Sequence, residues 1–143
     1  MIHLKDKIDA KADFIITQAI FDNKTFQTFQ NRCRSFGIEV PIVPGIFAFT
    51  SQKSLLKMSQ FCDIMVPQEV SAIVEQNKHN AMSVYNFGIH FTTELIKNLL
   101  TAKKDPIIDV HLFTLNNIYA VYEICERLGF CTLNIERPLK YVE

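Results

Sequence analysis

The sequence has no excess charge of either sign, because its 15 Lys and Arg residues balance its 15 Asp and Glu residues. Proteins that bind nucleic acids usually carry a basic face, since neutralising phosphates drives their binding. Here the basic residues are scattered, with only short doublets such as Lys103-Lys104. We therefore interpret the charges as a solvated surface and predict no nucleic-acid partner.

Long apolar runs and cysteine motifs are also missing. The most apolar stretch, residues 41–49, is short and broken by Pro44 and Gly45, whereas a membrane span needs about 20 apolar residues. The amino terminus lacks the apolar run of a secretory signal. The four cysteines form no C-x-x-C pair and no zinc-finger spacing. We expect a soluble, cytoplasmic protein with reduced thiols and no metal site.

The usual catalytic motifs are absent. The sequence contains no nucleophile elbow, no P-loop, no G-x-G-x-x-G fingerprint and no H-E-x-x-H. None of its four histidines is paired at a metal-ligand spacing, and no pair of carboxylates follows a predicted strand. The residues alone therefore predict no catalytic side chain.

Short apolar runs alternate with longer segments of helical period along the whole chain, without a linker. Strands are predicted at residues 14–17, 40–43 and 109–113, and a short extended segment at 64–66. Helices lie between them, with N-caps at Asp22, Ser51, Asn80 and Asn116 and left-handed ends at Gly37 and Gly129. The buried positions of the helix after Ser51 are predicted to be Leu55, Met58 and Leu56.

This alternation predicts an α/β fold with parallel strands and right-handed crossovers. Three strands, with a short fourth, are few for an open sheet, and an unpaired edge of this apolarity is a liability. We therefore interpret residues 1–143 as one domain that is part of a larger parallel sheet.

Uncharged polar residues cluster where the predicted strands end, which is where parallel α/β folds bind ligands. Gln18 follows the first strand, Pro44-Gly45 the second and residues 114–117 the third. Such groups suit hydrogen bonding to a polar heterocycle better than acid-base chemistry. Asn116 alone is better explained by a helix cap than by a ligand contact, and Gly45 by a turn, but a Gln directly after an apolar strand is harder to explain as scaffold.

Several motifs, in their order and spacing, resemble the catalytic domain of the methylenetetrahydrofolate reductase family, and two of them resemble its eukaryotic members in particular. The first is L-K-D-K-I-D-A-K-A-D-F-I-I-T-Q at residues 4–18. Others are P-I-V-P-G-I-F at 41–47, V-P-Q-E at 66–69, H-L-F-T-L-N at 111–116, R-L-G at 127–129 and R-P-L at 137–139. Each motif alone is weak, but the series covers nearly the whole chain.

The resemblance implies a (β/α)8 TIM barrel that binds FAD. The family passes a hydride from NADPH or NADH to the flavin, and then to 5,10-methylenetetrahydrofolate to form 5-methyltetrahydrofolate. A whole barrel needs about 250 residues, so this chain would supply strands six to eight with their helices. No residue here matches the family's acidic catalytic residue, and we therefore expect a fragment that is inactive alone. Its expected partners are folate and nicotinamide substrates, together with a second copy or the missing half of the barrel.

The resemblance also implies binding residues. Lys7 matches the family lysine near the FAD phosphates, and His3 and Asp6 lie on the same helical turn, where the family also places flavin contacts. Gln18 matches the glutamine that hydrogen-bonds folate and meets the nicotinamide in the same pocket.

Four positions depart from the family pattern, two of them in the expected substrate site. Phe113 and Asn117 stand where the family motif F-Y-T-L-N-R has Tyr and a substrate-contacting Arg. Lys11 replaces a family Gly, and Ala48 a family Pro. Loss of the Arg removes a charge-assisted contact worth about 1.5–3 kcal/mol. The alternatives are therefore a non-catalytic relative that serves as a binding or interaction module, and a free-standing ligand-binding protein.

Overall fold

The structure is a computed structural model that describes residues 1–102, 107 and 109–132. In chain order the elements are α1 (Ile2–Asp9), β1 (Ile15–Ala19), α2 (Asn23–Ser35), β2 (Ile42–Phe47), α3 (Gln52–Cys62), α4 (Gln68–Gln76), α5 (Ala81–Leu100), β3 (His111–Phe113) and α6 (Ile118–Arg127). The R-P-L motif at 137–139 lies outside the described residues.

The three strands form one sheet in the order β1-β2-β3, and both pairs are parallel. The register places Ile15 opposite Ile42 and Gly45 opposite His111. The predicted α/β fold with parallel strands is thus confirmed. Because the strands are parallel, their carboxyl ends lie at the same edge of the sheet.

The strand boundaries differ from the prediction at the carboxyl end. β1 continues to Ala19, so Gln18 lies inside the strand, and β2 runs through Pro44 and Gly45, which were predicted to end it. The β1 register shifts between Ile16 and Ala19, which is a bulge in β1 opposite Pro44.

Two further differences concern short segments. The extended segment expected at 64–66 is not a strand, and β3 begins at His111 rather than at residue 109. β3 is short because, among the described residues, it pairs only with the end of β2.

Most predicted helix caps are confirmed. The side chains of Asp22, Ser51 and Asn80 accept hydrogen bonds from the backbone N–H groups three residues later, and Gly37 and Gly129 have φ of 70° and 74°. The predicted cap of α6 at Asn116 is wrong. Leu115 and Asn116 both have positive φ, which delays the helix by one residue, and Asn117 is the cap.

Two clusters of buried side chains hold the layers together. The first packs α2, α5 and α6 on one face of the sheet, with Phe26, Ile42, Ile96 and Ile124 among its members. The second lies at the carboxyl ends of the strands, where α3, α4 and α5 pack against residues such as Phe47. Leu55 and Met58 of α3 are buried as predicted, but Leu56 is half exposed, contrary to the prediction, because it lies off the stripe that faces the second cluster.

Among the described residues, no helix combines the length and apolarity needed to cross a bilayer.

Lys11 ends α1 in a left-handed conformation, with φ of 71°, and its backbone N–H donates to the Ile8 carbonyl at 2.9 Å. A side chain in this conformation costs about 1–2 kcal/mol, a cost that glycine avoids. We expect Lys11→Gly to raise the free energy of unfolding by about 0.5–1 kcal/mol, after the greater flexibility of glycine in the unfolded chain is subtracted. Urea unfolding measures the change.

Lys11→Ala is the matched control because alanine removes the charge but keeps the Cβ atom. It should show no comparable gain. Equal stabilisation by both variants would mean that the lysine charge, and not the backbone conformation, is responsible.

Candidate functional site

A cavity of about 810 Å³ runs along the free edge of β1. Every residue of β1 lines it. One wall is formed by apolar side chains of α1 and α2, namely Leu4, Phe26 and Phe29, and the other by the segment 62–65 that follows α3. We call this cavity the β1 groove. It combines an apolar interior with a few polar side chains, as binding clefts usually do.

Gln18 is the polar side chain that the β1 bulge presents in the groove, and it is exposed. The neighbouring Thr17 holds the backbone there, because its hydroxyl accepts a hydrogen bond from the Gly45 N–H at 2.9 Å and donates to the Gln18 carbonyl at 2.7 Å. Among the described residues, no protein group is hydrogen-bonded to the side-chain amide of Gln18, so the amide is available to a ligand.

Gly45 lies between the backbone of β1 and the ring of Phe113, which does not line the β1 groove. A Cβ atom added at Gly45 would lie 2.6 Å from Cε2 of Phe113, 3.2 Å from the Gln18 carbonyl oxygen and closer still to the Thr17 carbonyl oxygen. The Phe113 ring therefore lies over Gly45 beside the β1 backbone. It also packs edge-on against His111, with ring centroids 4.6 Å apart.

Asn117 is placed differently from Gln18 and Phe113. Its Oδ1 accepts from the Ala120 N–H at 3.4 Å, which caps α6, and its Nδ2 donates to the Thr50 hydroxyl at 3.0 Å. Both polar atoms of the side chain thus have protein partners. Asn117 joins the start of α6 to the segment after β2, and it does not line the β1 groove.

The three residues expected to contact a cofactor lie on the solvent side of α1. The side chains of His3 and Asp6 are 99% and 67% exposed, with Nδ1 and Oδ2 3.9 Å apart, and Lys7 is exposed as well. Only Leu4 of this helix lines the groove. The structure therefore groups His3, Asp6 and Lys7 with each other but not with Gln18.

The titratable groups with shifted pKa values lie elsewhere in the described part of the chain. Burial raises the pKa of the Cys33 and Cys125 thiols. Hydrogen bonds from Lys78 and Lys97 lower the pKa of the Glu75 and Glu94 carboxyls on the surface. Within residues 1–102, 107 and 109–132, no cluster of His, Cys, Asp or Glu could hold a metal ion.

Sequence reasoning missed Thr17 and the bulge. Nothing in the residues of β1 or β2 marks the irregularity, because it depends on the register in which the two strands pair.

Comparison with known proteins extends these observations. A family model described as methylenetetrahydrofolate reductase matches residues 1–129. The Arabidopsis thaliana protein named methylenetetrahydrofolate reductase (NADH) 1 is 41% identical over 129 residues, which cover 90% of this chain and 21% of the plant protein. The Salmonella typhimurium 5,10-methylenetetrahydrofolate reductase is 32% identical, over 90% of this chain and 43% of the bacterial protein.

A probable methylenetetrahydrofolate reductase (NADPH) of Caenorhabditis elegans is 33% identical over 96% of this chain and 20% of its own length. Among solved structures, an uncharacterized Clostridium thermocellum protein that binds two copies of 5-methyl-5,6,7,8-tetrahydrofolic acid superposes with a TM-score of 0.63. Its identity is 16%, over 91% of this chain and 48% of that chain, so this likeness shows the fold alone. The chain spans about a fifth of the plant and nematode relatives and less than half of the bacterial one.

Proposed function

Because the chain belongs to the methylenetetrahydrofolate reductase family, we propose that it forms the carboxyl-terminal half of the catalytic (β/α)8 barrel of such a reductase. The whole barrel would bind FAD and reduce 5,10-methylenetetrahydrofolate to 5-methyltetrahydrofolate with NADH or NADPH. The single observation that carries this proposal is the position of Gln18, exposed in a groove at the carboxyl ends of parallel strands.

The chemistry of this end of the sheet suits a pterin ring. The Gln18 amide offers two N–H donors and one acceptor oxygen, which match a heterocycle that carries both kinds of group. The ring of Phe113, one strand away over Gly45, offers a flat apolar surface. We assign Gln18 and Phe113 to the folate site, where Gln18 would orient the pterin and also meet the nicotinamide.

The residues present fit one edge of an FAD site. Bound FAD would supply the group that accepts and then donates the hydride. Lys7 would contribute a point charge to the phosphates, and His3 would add a further donor. Asp6, on the same helix, is an acceptor and suits a ribose hydroxyl better than a phosphate. The described residues leave the rest of the nucleotide to be held by another part of the barrel.

The free edge of β1 is the proposed docking site of that other part. α1 leads directly into β1 and packs beside it, as a crossover helix does between two parallel strands. Right-handed crossovers place the strand that precedes such a helix on the free side of β1. Phe14 and Ile16 are 53% and 44% exposed there. We propose that the missing half of the barrel covers them, with self-association through the same edge as the competing outcome.

One observation favours a second candidate, a non-catalytic binding or interaction module. Asn117 occupies the place of the substrate-contacting Arg of the family motif, and both of its polar atoms bind the protein itself. Asn117 therefore supplies neither a charge nor an unbonded polar atom to a folate or nucleotide site.

We expect the isolated chain to bind no flavin and to lack NADPH–menadione oxidoreductase activity, because it supplies only one edge of the FAD site. Mixed with the preceding part of the barrel of the Arabidopsis relative, it should gain both. Flavin absorbance and menadione turnover measure this directly. In the mixture, Gln18→Ala should retain bound flavin, while reduction of methylenetetrahydrofolate falls about tenfold or more.

The outcomes separate the candidates. Flavin binding by the chain alone contradicts the proposal of a half barrel. A mixture that binds flavin and turns over menadione, but does not reduce the folate, supports the non-catalytic module. A stable monomer that binds neither flavin nor the complementary part contradicts both.

A further inference from the structure

We propose that Thr17 is a positioning residue for Gln18: the Thr17 hydroxyl accepts the hydrogen bond of the Gly45 N–H in place of a β1 backbone carbonyl, and so holds the bulge beside the Gln18 amide. The role of Gln18 in binding folate rests on the proposed function, whereas the role of Thr17 in holding the bulge rests on geometry alone.

The register of the β1–β2 pair defines the bulge. Ile16 pairs with Val43, and Ala19 pairs with Gly45. Two steps along β2 are therefore matched by three steps along β1, and Thr17 and Gln18 together face Pro44. The backbone groups of Pro41 and Gly45 point to β1, and those of Pro44, on an alternate residue of the strand, point to β3. The irregularity on the β1 side therefore concerns the hydrogen bond that the Gly45 N–H donates.

The Thr17 side chain completes the hydrogen bonding at this irregularity. The next donor of β2 is the Gly45 N–H, and it donates to the Thr17 hydroxyl at 2.9 Å instead of to a backbone carbonyl. The same hydroxyl donates to the Gln18 carbonyl at 2.7 Å. The hydroxyl oxygen of Thr17, a residue of the bulge, is therefore hydrogen-bonded both to Gly45 and to the peptide group of Gln18.

The bulge changes the pairing of Gln18. Residues two apart on a strand share a face, so in a regular strand Gln18 would pair with Gly45. In the structure Ala19 holds that place and is buried, with 4% of its surface exposed, whereas Gln18 is exposed in the groove. The bulge therefore changes which residue of β1 faces Gly45, while Gln18 remains on the exposed side of the strand with Ile16.

The test compares two substitutions that keep or remove the hydroxyl. Thr17→Val has nearly the same shape but no hydroxyl, and Thr17→Ser keeps the hydroxyl but loses a methyl group. Without a ligand, the Gly45 amide should exchange its hydrogen about tenfold faster in Thr17→Val and at nearly the original rate in Thr17→Ser. The NMR signals of the Gln18 side-chain amide should move in the Val variant alone.

A second arm links Thr17 to ligand binding through a double-mutant cycle with Gln18→Ala, using 5-methyltetrahydrofolate as the probe. Thr17→Val should weaken binding about tenfold when Gln18 is present and have no further effect when Gln18 is already alanine. Full additivity of the two losses would overturn the inference, as would equal Gly45 exchange in the Ser and Val variants.

The two experiments distinguish a failure of the proposed function from a failure of the proposed role of Thr17. If the unaltered chain, alone or in the reconstituted barrel, does not bind the folate, the proposed function fails, and the exchange and NMR measurements still decide the role of Thr17. If Thr17→Val does not fold, the Ser variant decides: its loss of Gly45 protection would show that the hydroxyl is not responsible.

Discussion

Gly45→Ala is expected to lower the free energy of unfolding by about 3 kcal/mol, the upper part of the range for overpacked positions. The added methyl group would lie 2.6 Å from Phe113 and within 3.0 Å of the Thr17 carbonyl oxygen, distances that real Cβ atoms essentially never show. The carbonyl belongs to the backbone of β1 and cannot turn aside. Relief would require that β1, β2 or the Phe113 ring move, and each of these positions the proposed folate site. Urea unfolding measures the loss.

Gly37→Ala is the matched control for this prediction. Gly37 has a φ of 70°, but the nearest atom to an added Cβ is the flexible Lys5 Cε at 3.9 Å. Its substitution should cost about 1–2 kcal/mol through backbone conformation alone. A loss at Gly45 no larger than the loss at Gly37 would show that the strands adjust to the methyl group easily.

Gly88→Ala is expected to destabilise the protein by about 3 kcal/mol, although the same change in an exposed helix interior usually stabilises by about 1 kcal/mol. Gly88 lies in the middle of α5 and is buried. A Cβ atom here would lie 3.0 Å from both the carbonyl carbon and the Cδ2 atom of Phe49, and closer still to the Phe49 carbonyl oxygen. The reversed sign is the result that tests the close packing of α5 on the segment after β2.

The environment of Gly88 explains why relief is difficult. Phe49 packs against Phe87 and Phe91 of α5, with ring centroids 5.9 Å and 6.0 Å apart, so α5 cannot withdraw without separating these rings. His90→Ala provides the control because His90 is exposed on the same helix. It should change stability by no more than about 0.5 kcal/mol. Thermal unfolding that shows a gain for Gly88→Ala would contradict the packing described.

Local features were predicted well because neighbouring residues determine them. The caps at Asp22, Ser51 and Asn80 depend on a side chain and an N–H three residues away. The misplaced cap of α6 shows the limit of this reasoning. Asn116 and Asn117 are equally good caps in isolation, and the left-handed backbone at Leu115 and Asn116 selects the second.

The candidate site was predicted only in part. Gln18 was recognised as an unusual polar residue beside an apolar strand, and Phe113 through its motif; in the structure the Gln18 carbonyl and the Phe113 ring both approach Gly45. The hydrogen bonds of the Asn117 side chain could not be predicted from the sequence. Its Nδ2 is occupied by Thr50, a residue distant in sequence that approaches only once β2 and α6 are in place.

The sequence by itself determined the alternation of strands and helices, the parallel direction of the strands and the family, because these depend on periodicity, capping and ordered motifs within short segments. Only the tertiary structure decided that β1 bulges at Thr17 and Gln18, since the bulge depends on how β1 pairs with β2. It likewise decided that Gly45 must lack a side chain, because the Phe113 ring and the β1 carbonyls reach it from strands on either side. Such constraints arise from backbone groups brought together by pairing, which no single stretch of sequence contains.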